Sequence, residues 1–258
     1  MSEDAPDQTS SFCTRSYDSG DAYDAQYSAL YEPEIRTLMG LAHAGGGAVL
    51  DLCCGTGIVT VPLARTGLPV VGVDISAAML ETAWGKAAGL SNLTFVLQDA
   101  LEFDAPQRFT LALMTGNAFQ CFLTEQDVAA LLAKASGLLL SGGIFIFDTR
   151  LPEGSNFTLE DDFKVWSDYT DADGNPAQFL VRQAAYDAET GVLRYEMKDV
   201  FADGSEKPST ETLKFTPLET LRKLAQRAGF EIVGEYGNWE REPLREGAAS
   251  GVLELRKP

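Results

Sequence analysis

The chain of 258 residues contains 38 acidic and 20 basic side chains, which gives a formal net charge of −18, and 45% of its residues are hydrophobic. These values are typical of a globular protein, and the length allows one large α/β domain with a small insertion. The negative charge and the lack of any Lys/Arg cluster disfavour nucleic acid and membrane surfaces as partners, because binding to either depends on clustered positive charge.

The first predicted segment, residues 1–44, combines a polar tail with a helical cap. The tail begins MSEDAPDQTSS and lacks the apolar core of a secretory signal, and no apolar run approaches the length of a membrane span. We therefore expect a cytoplasmic protein. In the helix, Tyr23, Tyr27 and Tyr31 are spaced four residues apart and share one face, which favours core packing.

Residues 45–150 alternate short apolar runs with longer amphipathic ones, which is the pattern of a parallel sheet covered by helices on both faces. Five buried strands are predicted, at residues 48–52, 69–74, 93–98, 109–115 and 144–148. Helices are predicted over residues 58–65, after the N-cap Ser76, and from Thr124 to Leu140, where Ser141-Gly142-Gly143 would stop the last of them.

The pattern changes after the fifth strand. Residues 151–215 contain alternating, β-like segments separated by turn signals, which predicts an antiparallel insertion with one exposed face. A helix near Pro217 and two strands, at 230–236 and 251–255, complete the chain. The connection between these strands is too short for a helical crossover, so the last strand should run antiparallel. The predicted fold is therefore α/β and doubly wound, with a mostly parallel seven-stranded sheet formed by residues 45–150 and 216–258.

A glycine-rich turn after the first strand is the most informative segment. Residues 51–57 read DLCCGTG and connect a buried strand to a helix, so a ligand could approach this backbone closely. The next two strands end in Asp74 and in Gln98-Asp99-Ala100. An acidic side chain at the end of the second strand can accept hydrogen bonds from ribose hydroxyls. Open α/β sheets bind their ligands at this carboxyl edge, so the sequence predicts a nucleotide-type site there.

Two alternatives compete with this interpretation. Asp51, Asp74 and Asp99 could each merely cap a turn or helix, but their occurrence after three consecutive strands favours a ligand. The ligand could also be NAD(P), whose fingerprint has a third glycine three residues after the second, where this chain has Thr60. The Asp51 carboxylate would repel a pyrophosphate and attract a positively charged sulfonium, which disfavours the dinucleotide.

These residues resemble the motifs of the class I S-adenosylmethionine-dependent methyltransferases. Residues 51–57 are similar to the first motif of the family, with Cys53 where a glycine is usual. The resemblance implies the cofactor S-adenosyl-L-methionine, with Asp74 on the ribose, Met79 on the adenine and Asp99 near the adenine amino group. It also implies that Tyr17 closes over the cofactor. The cofactor-binding residues implied in this way are Tyr17, Asp51, Cys53, Gly55, Gly57, Asp74, Ile75, Met79, Asp99, Ala100, Met114 and Thr115.

The same resemblance implies methyl transfer to a small-molecule N or O acceptor. Transfer from a sulfonium is an in-line displacement that depends mainly on positioning and on exclusion of water. Asn117 and Gln120, which follow the fourth strand, are the candidate catalytic residues. No residues have the spacing of a metal site. An NAD(P)-dependent oxidoreductase and a non-catalytic protein that binds S-adenosylmethionine are the alternatives, and the sequence leaves the oligomeric state open.

Overall fold

The computed structural model describes residues 19–171 and 173–258. It begins with α1 (Gly20–Tyr27), a short 3-10 helix (Ser28–Tyr31) and α2 (Glu32–Gly45). Ser19 caps α1 by accepting a hydrogen bond from the Ala22 N–H, and α2 ends where Gly46 adopts a left-handed conformation. The single predicted helical cap is therefore two helices joined by a 3-10 turn.

The strands belong to two sheets, and the remaining helices flank the first of them. The strands are, in chain order, β1 (Val49–Leu52), β2 (Val70–Asp74), β3 (Leu93–Leu97), β4 (Phe109–Met114), β5 (Leu139–Arg150), β6 (Lys164–Thr170), β7 (Pro176–Asp187), β8 (Val192–Phe201), β9 (Glu206–Lys214), β10 (Glu231–Tyr236) and β11 (Ser250–Arg256). The helices are α3 (Thr60–Arg65), α4 (Ala77–Lys86), α5 (Glu125–Leu138) and α6 (Leu218–Arg227). Within the described ranges, no helix is long and apolar enough to cross a membrane.

The central sheet has the strand order β10-β11-β5-β4-β1-β2-β3. The strands from β5 to β3 pair in parallel, whereas β11 is antiparallel to both β5 and β10. This confirms the predicted α/β fold with a mostly parallel sheet and an antiparallel last strand. The order places the carboxyl ends of β1, β2, β3 and β4 at one edge, so the turns that follow them are neighbours in space.

Apolar side chains from alternate strand positions fill the space on both faces of this sheet. Phe145 and Phe147 of β5 are fully buried, and the Phe147 ring stacks on Phe119 with centroids 4.0 Å apart. On the other face, Leu38 of α2 and Leu63 of α3 are also fully buried. Burial of each such side chain contributes about 1.5–3 kcal/mol, so this core holds the strand ends firmly in place.

The structure confirms two helix caps and corrects the predicted end of one helix. Ser76 and Thr124 accept hydrogen bonds from the N–H groups of the first turns of α4 and α5. α5, however, ends at Leu138, and Ser141-Gly142-Gly143 lies within β5. The Gly142 N–H donates to the Lys257 carbonyl, so a distant segment of chain extends this strand. At the other boundary, α3 begins at Thr60 and not at position 58.

The second sheet has the order β6-β7-β8-β9 and is antiparallel throughout, as predicted for the insertion. Its inner face is buried against the central domain through Leu193, Leu213 and Phe215, whereas Trp166 on the edge strand β6 is 65% exposed. From the other side, the Gln26 side chain of α1 donates a hydrogen bond to Asp199 of β8. The insertion, α1 and the edge of the central sheet therefore enclose a common space.

Candidate active site

A cavity of about 670 Å³ lies at the carboxyl edge of the central sheet, beneath the insertion. One end lies where the sequence predicts the cofactor and is called the cofactor end. It is formed by the turns after β1, β2 and β3, with Cys53, Gly55, Asp74, Met79 and Asp99 on the wall. The other end lies where the sequence predicts the acceptor and is called the acceptor end. It is formed by the segment after β4, the N-terminal helices and the insertion, with Tyr31, Glu34, Asn117, Arg150, Tyr195 and Glu211 on the wall. A cavity of this size is typical of a small-molecule site.

The turn after β1 presents its backbone to the cavity. Gly55 has a positive φ of 53°, and a Cβ placed on it would meet no atom within 4 Å, so the space above it belongs to the cavity. A Cβ on Gly57 would instead lie 3.1 Å from the Phe95 ring. Gly55 therefore opens the cofactor end, and Gly57 allows the turn to pack closely on β3.

Asp74, the last residue of β2, connects this turn with the start of α4. Its carboxylate accepts hydrogen bonds from the Gly55 N–H at 2.7 Å and from the Ser76 N–H at 2.8 Å. Burial raises the pKa of Asp74, and the two backbone donors oppose this shift. Each carboxylate oxygen has a further lone pair, so the side chain can accept hydrogen bonds from the hydroxyls of a ribose while it holds the turn.

Asp51 lies behind the turn and is not on the cavity wall. Its side chain is 1% exposed, and Oδ2 accepts a 2.6 Å hydrogen bond from the Thr60 hydroxyl. Oδ1 has no hydrogen-bond partner among the described residues. Burial raises the pKa of Asp51 to about 7, with the Thr60 hydrogen bond opposing the shift. The carboxyl group therefore supports the turn from within, and any effect of its charge on a ligand acts through the protein.

Apolar and acidic residues meet where the sequence predicted an adenine site. Met79 and Ala100 are almost completely buried, yet both reach the cavity wall, as does the half-exposed Ile75. Asp99 accepts a 2.9 Å hydrogen bond from the Leu101 N–H, which fixes the carboxylate at the start of the loop after β3. This combination suits an aromatic base that carries an amino group.

The structure brings most of the predicted cofactor residues together. Those on the cavity wall are Cys53, Gly55, Asp74, Ile75, Met79, Asp99, Ala100 and Thr115. Asp51, Gly57 and Met114 lie behind the wall, and Met114 is fully buried in the core. Tyr17 lies outside the described residues.

The two candidate catalytic residues are placed differently. Asn117 is on the cavity wall in a left-handed conformation with φ of 59°, and its N–H donates to Asp148 at 3.0 Å. Gln120 is fully buried and is not on the wall. Its amide donates to the Lys214 carbonyl at 3.2 Å, which joins the segment after β4 to the insertion. Gln120 thus connects two parts of the fold. Tertiary packing turns its side chain away from the cavity.

The sequence interpretation missed the polar groups of the acceptor end. Glu34, Arg150, Tyr195 and Glu211 come from α2, β5, β8 and β9. The Tyr31 hydroxyl is 2.9 Å from that of Tyr23, so the tyrosines predicted as core residues also form part of this wall. No local pattern connects these segments, and only the fold brings them together.

A second feature missed in the sequence joins α1 to the glycine-rich turn. Asp24 of α1 accepts hydrogen bonds of 2.5 Å from both the Lys86 ammonium and the Thr56 hydroxyl, and Lys86 also donates to Thr56 at 3.0 Å. Close packing accompanies this network, because a Cβ on Gly20 would lie 2.4 Å from the Thr82 hydroxyl. These contacts hold α1 in place over the cofactor end.

The residues of the cofactor end fit an adenosyl group with an amino-acid tail. Asp74 would hold the ribose, Met79 and Ala100 would contact the base, and the open backbone at Gly55 leaves room for the tail. The adjoining acceptor end has space for a second molecule. Fold and cavity together are therefore those of a class of proteins that bind a nucleoside cofactor at the edge of a parallel sheet, beside a second small molecule.

Comparison with known proteins agrees with this class. Residues 49–143 match the family model of a methyltransferase domain. The glycine/sarcosine N-methyltransferase of Parasynechococcus marenigrum is 26% identical over 211 residues, which cover 78% of this chain and 69% of that protein. The CcbJ methyltransferase of Streptomyces caelestis has a similar fold, with a TM-score of 0.80 and 24% identity over 94% of this chain and 98% of the other.

A further solved structure is CalS10 from Micromonospora echinaspora with bound S-adenosylmethionine, described as an amino pentose methyltransferase. It aligns over the whole of both chains with a TM-score of 0.71 and 19% identity. Residues 49–143 carry a methyltransferase domain, and the relatives and structural neighbours support the class I S-adenosylmethionine-dependent family, with S-adenosylmethionine as the cofactor.

Proposed function

We propose that this chain methylates a nitrogen atom of a small-molecule amine. The observation that carries the proposal is the composition of the acceptor end. Glu34 and Glu211 lie on its wall with several tyrosines, and Arg150 is the only Lys or Arg among the described lining residues. Carboxylates and aromatic faces attract a positively charged amine, and this attraction strengthens where water is excluded.

The names of two similar proteins support the same acceptor class. One is a glycine/sarcosine N-methyltransferase, and the other is described as an amino pentose methyltransferase. These are properties of those proteins, and the identities of 26% and 19% do not transfer a substrate. They make amino acids and amino sugars the first amines to test.

Positioning accounts for most of the chemistry. Bound S-adenosylmethionine supplies a methyl carbon on a positively charged sulfur, and the N–C bond forms as the C–S bond breaks. The chain has to hold the acceptor nitrogen in line with that carbon, which can lower the barrier by several kcal/mol. Thr115, Gly116 and Asn117 follow β4 and line the cavity, and we expect the reacting atoms to meet beside them.

The insertion, residues 151–215, is proposed as the acceptor subdomain. Its inner face contributes Phe179, Val181 and Met197 to the cavity wall, and these apolar side chains exclude water from the acceptor end. Residues 45–150 and 216–258 would form the cofactor-binding domain beneath the helical cap of residues 1–44. Acceptor choice would then reside in the insertion, because such additions to a fixed scaffold usually determine specificity.

The first experiment is calorimetric titration with S-adenosylmethionine, S-adenosylhomocysteine, NAD and NADP. Micromolar binding of the first two and none of the nicotinamides is expected. Release of S-adenosylhomocysteine is then measured with glycine, sarcosine and glucosamine, and with glucose and catechol as hydroxyl acceptors. Turnover of an amine supports the proposal. Turnover of hydroxyl compounds alone overturns the nitrogen acceptor, and tight cofactor binding without any turnover favours a non-catalytic protein.

A further inference from the structure

Glu34 separates the acceptor end from a second, smaller cleft. This cleft has a volume of about 260 Å³ and is lined by Pro33, Glu34, Asp148, Trp239, Glu240 and Ser250, among others. Glu34 is on the wall of both spaces, as is its neighbour Leu30. The two spaces therefore adjoin at Leu30 and Glu34, and Glu34, on the first turn of α2, is the ionisable residue that their walls share.

The Glu34 carboxyl group is only partly satisfied by its surroundings. Its Oε2 is shielded from solvent and has no hydrogen-bond partner among the described residues. A buried carboxylate oxygen without a donor favours the protonated state, because only the neutral acid loses little on leaving water. Glu34 therefore takes up a proton more readily than an exposed glutamate does.

The acidic groups that face Glu34 also favour its protonated state. Burial raises the pKa of Glu34 to about 7, the charges of Asp148 and Glu240 add to the shift, and the Glu34 backbone N–H opposes it. Burial raises the pKa of Asp148 to about 6, and the Asn117 N–H and the charge of Arg150 oppose this shift. Burial and the Tyr23 hydroxyl raise the pKa of Tyr31 well above its ordinary value, so this tyrosine stays neutral.

We propose that Glu34 removes a proton from the ammonium form of the acceptor and releases it into the second cleft. The inference rests on the proposed function, because it requires an amine acceptor. An ammonium nitrogen has no lone pair and cannot attack a methyl carbon. Glu34 lies on the acceptor wall and can reach such a group directly, whereas Asp148 lies beside it in the second cleft and acts through Glu34 as a positioning residue.

The step balances in atoms and charge. One N–H bond of the ammonium breaks, an O–H bond forms on Glu34, and the electron pair stays on nitrogen. After methyl transfer the product leaves as an N-methyl ammonium ion. The Glu34 acid then loses its proton to water in the second cleft, so one proton is released for each methyl group transferred.

The test is the pH profile of kcat/KM for the fastest amine among glycine, sarcosine and glucosamine. In the wild-type chain the profile should rise with pH through a midpoint near 7, the pKa of Glu34. In Glu34→Gln we expect a loss of about 100-fold at neutral pH, in keeping with the usual contribution of a general base. The rising limb should also move to the pKa of the free amine.

Glu32→Gln is the matched control, because Glu32 is an exposed residue of the same helical turn paired with Arg36. It should keep the wild-type rate and midpoint. Asp148→Asn should lower the midpoint, since a like charge is removed from beside Glu34. All variants should bind S-adenosylhomocysteine with dissociation constants within about threefold of wild type, which checks that the fold and the cofactor end are intact.

The outcomes separate the two proposals. A Glu34→Gln variant that keeps the wild-type rate and midpoint overturns the role of Glu34 and leaves the amine acceptor standing. A wild-type chain that binds the cofactor and methylates no amine overturns the proposed function, and the role of Glu34 falls with it. A carboxyl carbon resonance assigned to Glu34 by its loss in Glu34→Gln should titrate near pH 7; titration near 4.5, the ordinary value for glutamate, would also overturn the inference.

Discussion

The two ends of the cavity are built in different ways. The cofactor end uses backbone groups and short side chains from three consecutive strand ends, with Asp74 held by two N–H donors. The acceptor end uses longer side chains from α2, β5, β8 and β9, which are far apart in the chain. The cofactor end keeps one ligand in place through local geometry. The acceptor end can be adapted to a different ligand by substitution of side chains, without any change in the fold.

This difference predicts that substitutions at the two ends act on different measurements. Changes at the cofactor end should alter the affinity for S-adenosylhomocysteine. Changes at the acceptor end should alter kcat/KM for the acceptor and leave that affinity intact.

Asp74→Ala should have the largest effect on binding. Two hydrogen bonds between a ligand and a carboxylate are worth about 1.5–3 kcal/mol each, so the dissociation constant of S-adenosylhomocysteine should rise at least about 100-fold. Calorimetry measures this loss, and circular dichroism checks the fold. Glu81→Ala, which removes an exposed acid from α4, is the control and should bind normally. An unchanged affinity in Asp74→Ala would mean that Asp74 only supports the turn.

Asp51→Asn should change the pH dependence of stability. The folded-state pKa of about 7 lies above the ordinary 3.8, so Asp51 contributes stability that is complete below pH 3.8 and is lost as the pH rises through 7. The difference between these two pKa values corresponds to about 4 kcal/mol. The free energy of unfolding in urea should therefore fall less between pH 5 and pH 8 in the variant than in wild type.

The exposed Asp162 offers the matched control for this experiment, because Asp162→Asn removes the same charge at the surface. It should retain the wild-type pH dependence. If Asp51→Asn also retains it, the Asp51 carboxyl group is not protonated at neutral pH, and the turn is supported by a buried charge.

Gly116→Ala should disturb the acceptor end. Gly116 has a φ of +70°, and a Cβ on it would lie 2.2 Å from the Tyr31 hydroxyl, so Tyr31 must move and its contact with Tyr23 is lost. The left-handed backbone adds about 1–2 kcal/mol of strain. We expect kcat/KM for the amine to fall at least tenfold, with the affinity for S-adenosylhomocysteine within about threefold.

Gly89→Ala separates the clash from the strain, because Gly89 has a φ of +85° and open space around it. This control should lose only the stability that corresponds to the strain, about 1–2 kcal/mol, in thermal unfolding and should keep its activity. Equal losses of activity in both variants would show that Tyr31 has no part in the acceptor end.

Gln120→Leu should have the smallest effect. The variant loses the hydrogen bond to the Lys214 carbonyl, worth about 1 kcal/mol, but it also removes the unpaired Oε1. Unfolding in urea should show a loss of about 1 kcal/mol or less, and kcat/KM should stay close to wild type. A 100-fold loss of kcat in a folded variant would instead restore Gln120 as a catalytic residue.

Much of the fold could be predicted because its signals are local. The strands up to β5, the caps at Ser76 and Thr124 and the antiparallel last strand all follow from runs of neighbouring residues. The end of α5 was predicted wrongly for a related reason. Ser141-Gly142-Gly143 has the composition of a helix stop, but its backbone pairs with the segment around Lys257, and such pairing outweighs local preference.

The candidate site also contains features that local sequence signals predict and features that depend on tertiary packing. The glycine-rich turn, the acidic residues after β2 and β3 and hence the class of cofactor can be predicted from the sequence, because each depends on spacing along the chain. The folded structure was needed to show that Asp51 and Gln120 face away from the cavity and that Glu34 lies on the walls of two clefts. The direction and surroundings of a side chain are set by packing between distant segments, and no spacing in the sequence records those distances.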